Sequence, residues 1–229
     1  MSDQTKAILK NDPLMRDIER IKLRVVSMTD EQRAADRNRQ QAECAAFIAK
    51  RTKSLLDASG LPNRQLGAKG LVLDGPWGLT RQNVCSRLGQ GFLIGLVGIR
   101  GNGKTQLAVE AGKAAAETGR SVRYATATTF FMDIKSTYRR ESNEDERSVL
   151  RAYQRPRLLI LDEIGNRSEN AWENQLLQEL INRRYADQTD TILIDNRSAP
   201  DFCTAIGPSL SSRMNETGGV IDCAWPSFR

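Results

Sequence analysis

Eight consecutive residues combine the groups that best bind a phosphate. They are Gly98-Ile99-Arg100-Gly101-Asn102-Gly103-Lys104-Thr105. Their spacing is the P-loop pattern G-x-x-x-x-G-K-[ST], and they stand between an apolar run and a helix-like segment, as that pattern requires. The glycines let backbone N–H groups face phosphates, Lys104 reaches the β- and γ-phosphates, and Thr105 offers Mg²⁺ a hydroxyl. We therefore predict an ATP site rather than a simple glycine-rich turn. Its residues are Gly98, Arg100, Gly101, Asn102, Gly103, Lys104 and Thr105.

A pair of carboxylates follows a second apolar run. The run Leu158-Leu159-Ile160-Leu161 ends in Asp162-Glu163, and buried parallel strands present their last side chains at the edge where ligands bind. We expect Thr105 to ligate Mg²⁺, Asp162 to hold Mg²⁺ through its water shell, and Glu163 to polarise the water that attacks the γ-phosphate. A solvated strand end has the same pattern, so this assignment depends on the P-loop that precedes it.

An amide follows a third apolar run at Asp195-Asn196. Because this run is predicted as the strand beside the others, Asn196 should lie at the same sheet edge as Asp162, where it would orient the attacking water or contact the γ-phosphate. Asn-Arg-Ser is also common turn chemistry, which is the alternative.

The residue types that are absent exclude other chemistry. The chain has no histidine, which excludes a Ser-His-Asp triad, a Cys-His pair and histidine-ligated zinc, so the base must be a carboxylate, lysine or similar group. Its four cysteines show no C-x-x-C spacing, so neither a zinc ribbon nor a disulfide framework is indicated, and a reducing cytoplasm fits best.

Five apolar runs alternate with helix-like segments, which predicts an α/β fold with a parallel sheet and crossover helices. The predicted strands are 92–97, 122–127, 158–162, 191–195 and 220–224. The predicted helices between them are 104–117, 128–139, 144–154, 170–186 and a broken helix over 200–214.

The region before this core is predicted to be helical and to bind a protein partner, over residues 1–57. Five apolar residues recur there at three- and four-residue intervals and form a stripe that either packs on the core or docks another protein. The stripe consists of Leu14, Met15, Ile18, Ile21 and Val25. Thr29 followed by Gln32 has the form of a capping box, which predicts a helix to about Leu56. Helix breakers then predict a linker over residues 58–80 and a core over 81–229.

Composition restricts the class of protein further. A length of 229 residues suits one α/β domain with an extension, and the net charge of +6 suits either a polyanionic partner or simply a soluble basic protein. The N-terminus lacks a signal-peptide apolar core, and no apolar stretch approaches the length of a membrane span. We therefore expect a cytoplasmic protein with no membrane contact.

The order of these motifs resembles the AAA+ ATPases of the DnaC helicase-loader and IstB transposition-helper group. The resemblance covers roughly residues 90–229. It is carried mainly by Leu158-Leu159-Ile160-Leu161-Asp162-Glu163-Ile164-Gly165, Ile181-Asn182-Arg183-Arg184 and Trp225-Pro226-Ser227-Phe228-Arg229. It implies an AAA+ P-loop core with a five-stranded parallel sheet and flanking helices, without a C-terminal lid domain because the chain stops at Arg229.

The resemblance also implies an assembly. ATP would lie between neighbouring subunits of a ring or spiral, and an arginine of one subunit would contact the γ-phosphate held by the next. Arg213 is the candidate for this role, although this chain has Ser209 where many relatives carry another arginine. A helix-surface residue in an ion pair is the alternative for Arg213. Arg229 is a candidate nucleotide sensor.

The segment after the second predicted strand is rich in arginine with interleaved tyrosines. In helicase loaders the corresponding region grips single-stranded DNA, and such a composition suits contact with phosphates and bases. A solvated helix face has the same composition. The candidate DNA contacts are Lys135, Arg139, Arg140, Arg147 and Arg151.

The sequence is compatible with three functions. The first is an ATP-hydrolysing loader that binds a replicative helicase and single-stranded DNA. The second is an IstB-like ATPase that assists DNA transposition. The third is a nucleotide-gated adaptor that binds ATP without hydrolysing it.

Overall fold

The structure, a computed structural model, describes residues 29–68, 75–139 and 145–226. The predicted apolar stripe between Leu14 and Val25 lies outside the described residues. Contacts divide the chain into two units, of which the first ends at Ala49 and the second begins at Lys50. Among the described residues, no helix is both long and apolar enough to cross a membrane.

The first helix, α1, spans Asp30–Asp57. The predicted capping box is present, because the Thr29 N–H donates to Gln32 Oε1 at 3.0 Å and the Gln32 N–H donates to Thr29 Oγ1 at 3.3 Å. These two bonds satisfy backbone donors that a helix N-terminus leaves without partners. The start of α1 is therefore as predicted from two residues of the sequence.

The stretch predicted as a linker, 58–80, differs from that prediction in its described part. It contains helix α2 (Asn63–Leu66) and the start of helix α3 (Gly75–Ser86). Leu61 and Trp77 are 5% and 4% exposed and pack into the core. The described residues of this stretch therefore belong to the second unit, because the burial of these apolar side chains outweighs the cost of the helix breakers around them.

The core sheet has five parallel strands in the order β2-β3-β4-β1-β5. The strands are β1 (Leu93–Val97), β2 (Val122–Thr126), β3 (Leu158–Asp162), β4 (Asp190–Ile194) and β5 (Gly219–Asp222). The helices that follow are α4 (Lys104–Glu117), α5 (Ala127–Ser136), α6 (Glu146–Gln154), α7 (Ala171–Ala186), α8 (Ala199–Ile206) and α9 (Pro208–Thr217). Every predicted strand is present to within two residues at either end, and the broken helix divides into α8 and α9 at Gly207.

Helices cover both faces of this sheet, which explains why its strands are apolar runs rather than alternating ones. Successive residues point to opposite faces. Leu159 and Leu161 of β3 belong to the cluster that packs under α5–α9, whereas Leu158 and Ile160 belong to the cluster that packs under α3 and α4. β1 and β4 alternate in the same way. The carboxyl ends of β1, β3 and β4 therefore meet at one edge between two packed layers.

Arg184 ties the opposite end of the sheet together. Arg184 is 1% exposed. Its guanidinium donates to carbonyls of the segment that enters β3, to a carbonyl of β4, and to the Thr191 hydroxyl at 2.9 Å. Burial lowers its pKa to about 10. A buried charge needs such a full set of acceptors. Arg184, which belongs to a run that carries part of the family resemblance, therefore has a structural role.

Candidate functional site

The P-loop connects β1 to α4 and lies at the centre of this edge. Its backbone turns sharply at Gly101 (φ 91°) and again at Gly103 (φ 80°), immediately before Lys104 opens α4. A side chain at either position would strain this left-handed backbone, whereas glycine adopts it readily. The loop thus brings backbone amides to the positive end of the α4 dipole, an arrangement that favours an anion.

Lys104 is folded back onto its own loop. It is 5% exposed, and its ammonium donates to the carbonyls of Gly98 at 2.6 Å and Ile99 at 2.7 Å and to Asn102 Oδ1 at 3.2 Å. Burial lowers the Lys104 pKa, and the negative charge of Asp162 partly offsets this effect. The ammonium is therefore held by neutral oxygens, which a phosphate oxygen with its full negative charge would readily replace.

Asp162 at the end of β3 meets the P-loop through Thr105. The Thr105 hydroxyl donates to Asp162 Oδ2 at 2.8 Å, and the Tyr124 hydroxyl of β2 donates to the same oxygen at 2.9 Å. Burial raises the Asp162 pKa, and these two hydrogen bonds oppose that shift. A hydroxyl beside a carboxylate is an oxygen donor set that fits Mg²⁺, so the structure brings the two predicted metal ligands together.

Glu163 stands at the bend that follows β3. Its backbone is in the left-handed region (φ 57°, ψ 44°), which costs a non-glycine residue roughly 1 kcal/mol. In this conformation its N–H donates to Asp162 Oδ1 at 2.7 Å, and its side chain is exposed. The bend therefore turns Glu163 away from the core to the solvent side of the edge, as a group that acts on water requires.

Asn196 follows β4, the strand between β1 and β3. Its side chain is exposed, whereas the preceding Asp195 is 1% exposed and accepts the Arg197 N–H on Oδ1 at 3.0 Å. The Gly98 N–H donates to the Arg197 carbonyl at 3.0 Å. This bond joins the turn containing Asn196 to the start of the P-loop, so both lie at the same edge.

The segment after β5 forms hydrogen bonds with the P-loop. Asn102 is fully buried, and its side-chain amide donates to the Cys223 carbonyl. In return, the Trp225 indole N–H donates to the Asn102 carbonyl at 2.5 Å, and the Trp77 indole N–H donates to the Gly103 carbonyl at 3.2 Å. The Asn102 side chain therefore fixes the loop rather than facing a ligand, whereas Arg100 is exposed.

Sequence reasoning missed three residues of this site. Trp225 lies in a run that resembles the family, but no role follows from that run. Tyr124 and Trp77 belong to no motif, because nothing in local spacing links a strand tyrosine to Asp162 or a tryptophan in a predicted linker to the loop.

Arg213, the candidate for contact with the γ-phosphate of a neighbouring subunit, is held within its own chain. Arg213 on α9 donates to the side chains of Asn182 and Ser209, the second at 3.0 Å, and lies 5.4 Å from the centre of the Tyr185 ring. These contacts hold it against α7 within its own chain. Arg229 lies outside the described residues.

The described candidates for DNA contact are all exposed, and one of them also forms an ion pair. Lys135 forms a 3.8 Å ion pair with Glu173 and lies over the Trp172 ring. Arg139, Arg147 and Arg151 are exposed. Arg140 lies outside the described residues.

Comparison with known proteins identifies the family. The model of the IstB-like ATP binding protein family matches residues 82–209, which is more than half of the chain. The chain belongs to this family. Its matched region contains the P-loop, the Asp162-Glu163 bend and Asn196, so the family match and the geometry concern the same edge of the sheet.

Curated relatives carry the name of replicative helicase loader DnaC. The protein of Buchnera aphidicola subsp. Baizongia pistaciae (strain Bp) is 27% identical over 130 residues, which are 56% of this chain and 53% of the relative. That of Escherichia coli (strain K12) is 25% identical over 130 residues, with the same two shares. The chain spans about half the length of the curated relatives it matches.

Solved structures show the same fold. The crystal structure of the DnaC helicase loader matches with a TM-score of 0.58 and 19% identity, over 70% of this chain and 99% of that one. The replication initiator DnaA, bound to AMPPCP and single-stranded DNA, matches with a TM-score of 0.58 and 20% identity, over 72% of this chain and 51% of that one. The predicted AAA+ fold and family resemblance are thus confirmed.

Proposed function

We propose that this protein is an ATP-hydrolysing loader that binds a replicative helicase and single-stranded DNA. The observation that carries the proposal is the joining of Lys104, Thr105 and the Asp162-Glu163 bend at one sheet edge in a chain similar to proteins named helicase loaders. Such a protein would act in the cytoplasm.

ATP and Mg²⁺ would bind at the P-loop edge. The amides of residues 98–103 and the Lys104 ammonium would hold the phosphates, while Thr105 and Asp162 would hold Mg²⁺. When bound, Mg²⁺ would neutralise charge on the β- and γ-phosphate oxygens. Glu163 would polarise the attacking water as a carboxylate base, and Asn196 would orient that water or contact the γ-phosphate.

Self-association would complete the site. In a ring or spiral of copies, Arg213 of one copy would leave Asn182 and Ser209 and contact the γ-phosphate bound by the next copy. The contacts that hold Arg213 are hydrogen bonds to neutral side chains, and hydrogen bonds to a charged phosphate are stronger. Arg229 would act as a further nucleotide sensor in this assembly.

Single-stranded DNA would lie along the outer face of α6. Val149, Leu150 and Tyr153 bury the inner face of this helix, which leaves Arg147 and Arg151 exposed one turn apart, and the Arg151 side chain donates to the Arg147 carbonyl at 3.2 Å. Exposed arginines at this spacing follow a phosphate backbone without reading its sequence. Lys135, Arg139 and Arg140 would extend the contact.

The helicase would bind residues 1–57. The described part of this region, helix α1, has no buried side chain and exposes Phe47. An exposed aromatic on a helix is a common anchor for a protein partner.

Assistance of DNA transposition is the second candidate function. The specific observation in its favour is the family model itself, which is described as IstB-like. A transposition helper of this kind would assemble on duplex DNA and bind a transposase. The preference for single or double strands therefore separates the two candidates.

The single variants Arg147→Ala and Arg151→Ala are each expected to weaken binding of single-stranded DNA by a factor that is similar for every DNA sequence. Each phosphate contact that is lost should lower the slope of log K against log salt by about 0.7. ATP affinity should remain unchanged, because neither residue touches the P-loop. Fluorescence titrations of labelled single strands and duplexes at two salt concentrations measure both quantities.

Arg183→Ala is the control for both Arg147→Ala and Arg151→Ala. It removes an exposed arginine that pairs with Asp187 at the end of α7. A variant with the same affinity and salt slope as its parent would make this face of α6 a merely solvated surface. Stronger binding of duplex than of single strand by the parent would instead favour transposition.

A further inference from the structure

Tyr124, which belongs to none of the sequence motifs, contacts the predicted metal ligand Asp162 through its hydroxyl. It donates to Asp162 Oδ2 at 2.9 Å, the same oxygen that accepts the Thr105 hydroxyl at 2.8 Å. With the Glu163 N–H on Oδ1 at 2.7 Å, the Asp162 carboxylate receives three donors from three different segments. Three donors fix both the position and the plane of a carboxylate.

The strand register explains why a tyrosine makes this contact. Tyr124 of β2 is paired with Ile160 of β3, two residues before Asp162. Residues two apart on a strand share a face and are separated by roughly 6.6 Å. The Tyr124 side chain packs with the cluster that contains Ile160, so its ring runs along that face toward Asp162. The same ring without its hydroxyl, as in phenylalanine, would place no donor there.

The backbone of Tyr124 is held on its outer side as well. β2 is at the edge of the sheet, and the Tyr124 N–H donates to the Ser59 carbonyl at 2.7 Å. The next residue of that segment, Gly60, has a φ of 72°, and a Cβ there would lie 2.9 Å from the Tyr124 carbonyl oxygen. The ring is therefore anchored at both ends rather than free to follow Asp162.

We propose that Tyr124 is a positioning residue that orients the Asp162 carboxylate for Mg²⁺ bound with ATP. The inference rests on the proposed function, since it assumes Mg²⁺ at Thr105 and Asp162. The Tyr124 hydroxyl occupies one lone pair of Oδ2 and leaves the carboxylate only a restricted set of directions in which to meet the cation or its water shell. Loss of such an outer hydrogen bond commonly weakens metal binding 10- to 100-fold, that is, by about 1.4–2.7 kcal/mol.

Tyr124→Phe tests the role, because it keeps the ring and removes only the hydroxyl. Calorimetric titration of ATP at several free Mg²⁺ concentrations, and in EDTA, gives the Mg²⁺ concentration that half-saturates the gain in ATP affinity. We expect this concentration to rise roughly tenfold. The ATP affinity in EDTA should equal that of the parent, because Lys104 and the loop amides are unchanged.

Tyr153→Phe is the matched control. Its hydroxyl donates to an aspartate, Asp133 Oδ2, at 2.5 Å, so this variant loses the same kind of hydrogen bond at a distance from the P-loop. Its Mg²⁺ requirement should equal that of the parent. If a tyrosine hydroxyl only stabilises the fold, its removal lowers the midpoint of thermal unfolding and leaves the Mg²⁺ requirement unchanged.

The outcomes separate this inference from the proposed function. A Tyr124→Phe chain with the parent's Mg²⁺ requirement overturns the positioning role, and so does a chain that loses ATP affinity equally in EDTA. If the parent itself binds no ATP or gains nothing from Mg²⁺, the proposed function fails and this inference fails with it. A requirement raised in Tyr124→Phe alone supports the role.

Discussion

The Lys104→Ala chain is expected to bind ATP at least about a hundredfold more weakly than the parent. The lost ammonium would have made charge-assisted hydrogen bonds to two phosphates, worth roughly 3 kcal/mol together. Without nucleotide, the same ammonium donates to the Gly98 and Ile99 carbonyls. The variant therefore also loses two hydrogen bonds that hold the P-loop in its conformation. Calorimetric titration with ATP measures the affinity.

Lys113→Ala is the control for this variant. Lys113 lies on the same helix, and its ammonium is bound to Glu110 at 2.8 Å instead of to the loop. It should bind ATP as the parent does. Thermal unfolding without nucleotide shows whether both variants are folded. A folded Lys104→Ala chain with the parent's ATP affinity would place the nucleotide somewhere other than the P-loop.

The second large effect is expected for Glu163→Gln, which should bind ATP within about threefold of the parent and hydrolyse it roughly 10²- to 10³-fold more slowly. An amide has the shape of the carboxylate but does not accept a proton from water. Because the Glu163 side chain is exposed and only its N–H bonds to Asp162, the substitution should leave the metal ligand in place. Phosphate release and ATP titration on the same preparation give the two numbers.

Glu169→Gln is the matched control, since Glu169 is in the same loop and shares the left-handed backbone (φ 54°). Its side chain pairs with Arg197, and the amide oxygen of glutamine can still accept that hydrogen bond. It should hydrolyse ATP nearly as fast as the parent. An equal loss in both variants would assign the effect to the loop conformation. A parent that binds ATP and releases no phosphate would favour the nucleotide-gated adaptor instead.

The sequence predicted the centre of this site because its parts are local. The P-loop is a contiguous pattern, and Asp162 follows a strand whose apolar run is unmistakable since both of its faces are buried. Once the sheet is predicted to be parallel, the carboxyl ends of its strands are expected at one edge, even where the strands are far apart in the chain. Only the pairing of hydroxyl and carboxylate at 2.8 Å needed the structure.

The rest was not predictable because it depends on contacts across the fold. Trp77 and Leu61 are single apolar residues among helix breakers, and only packing on the core orders them. The Trp225 and Tyr124 contacts join segments far apart in the chain. Arg213 is held by Asn182 and Ser209, an arrangement of neutral partners that charge patterning does not indicate.

Affinity capture of the full chain from its own cells, in the presence of Mg²⁺ and ATP and with the bound proteins identified by mass spectrometry, determines whether the partner is a replicative helicase. The Lys104→Ala chain, captured in parallel, shows which partners depend on nucleotide. We expect a hexameric replicative helicase to be recovered with the parent chain. Recovery of a transposase without the helicase would overturn the assignment of this protein as a helicase loader.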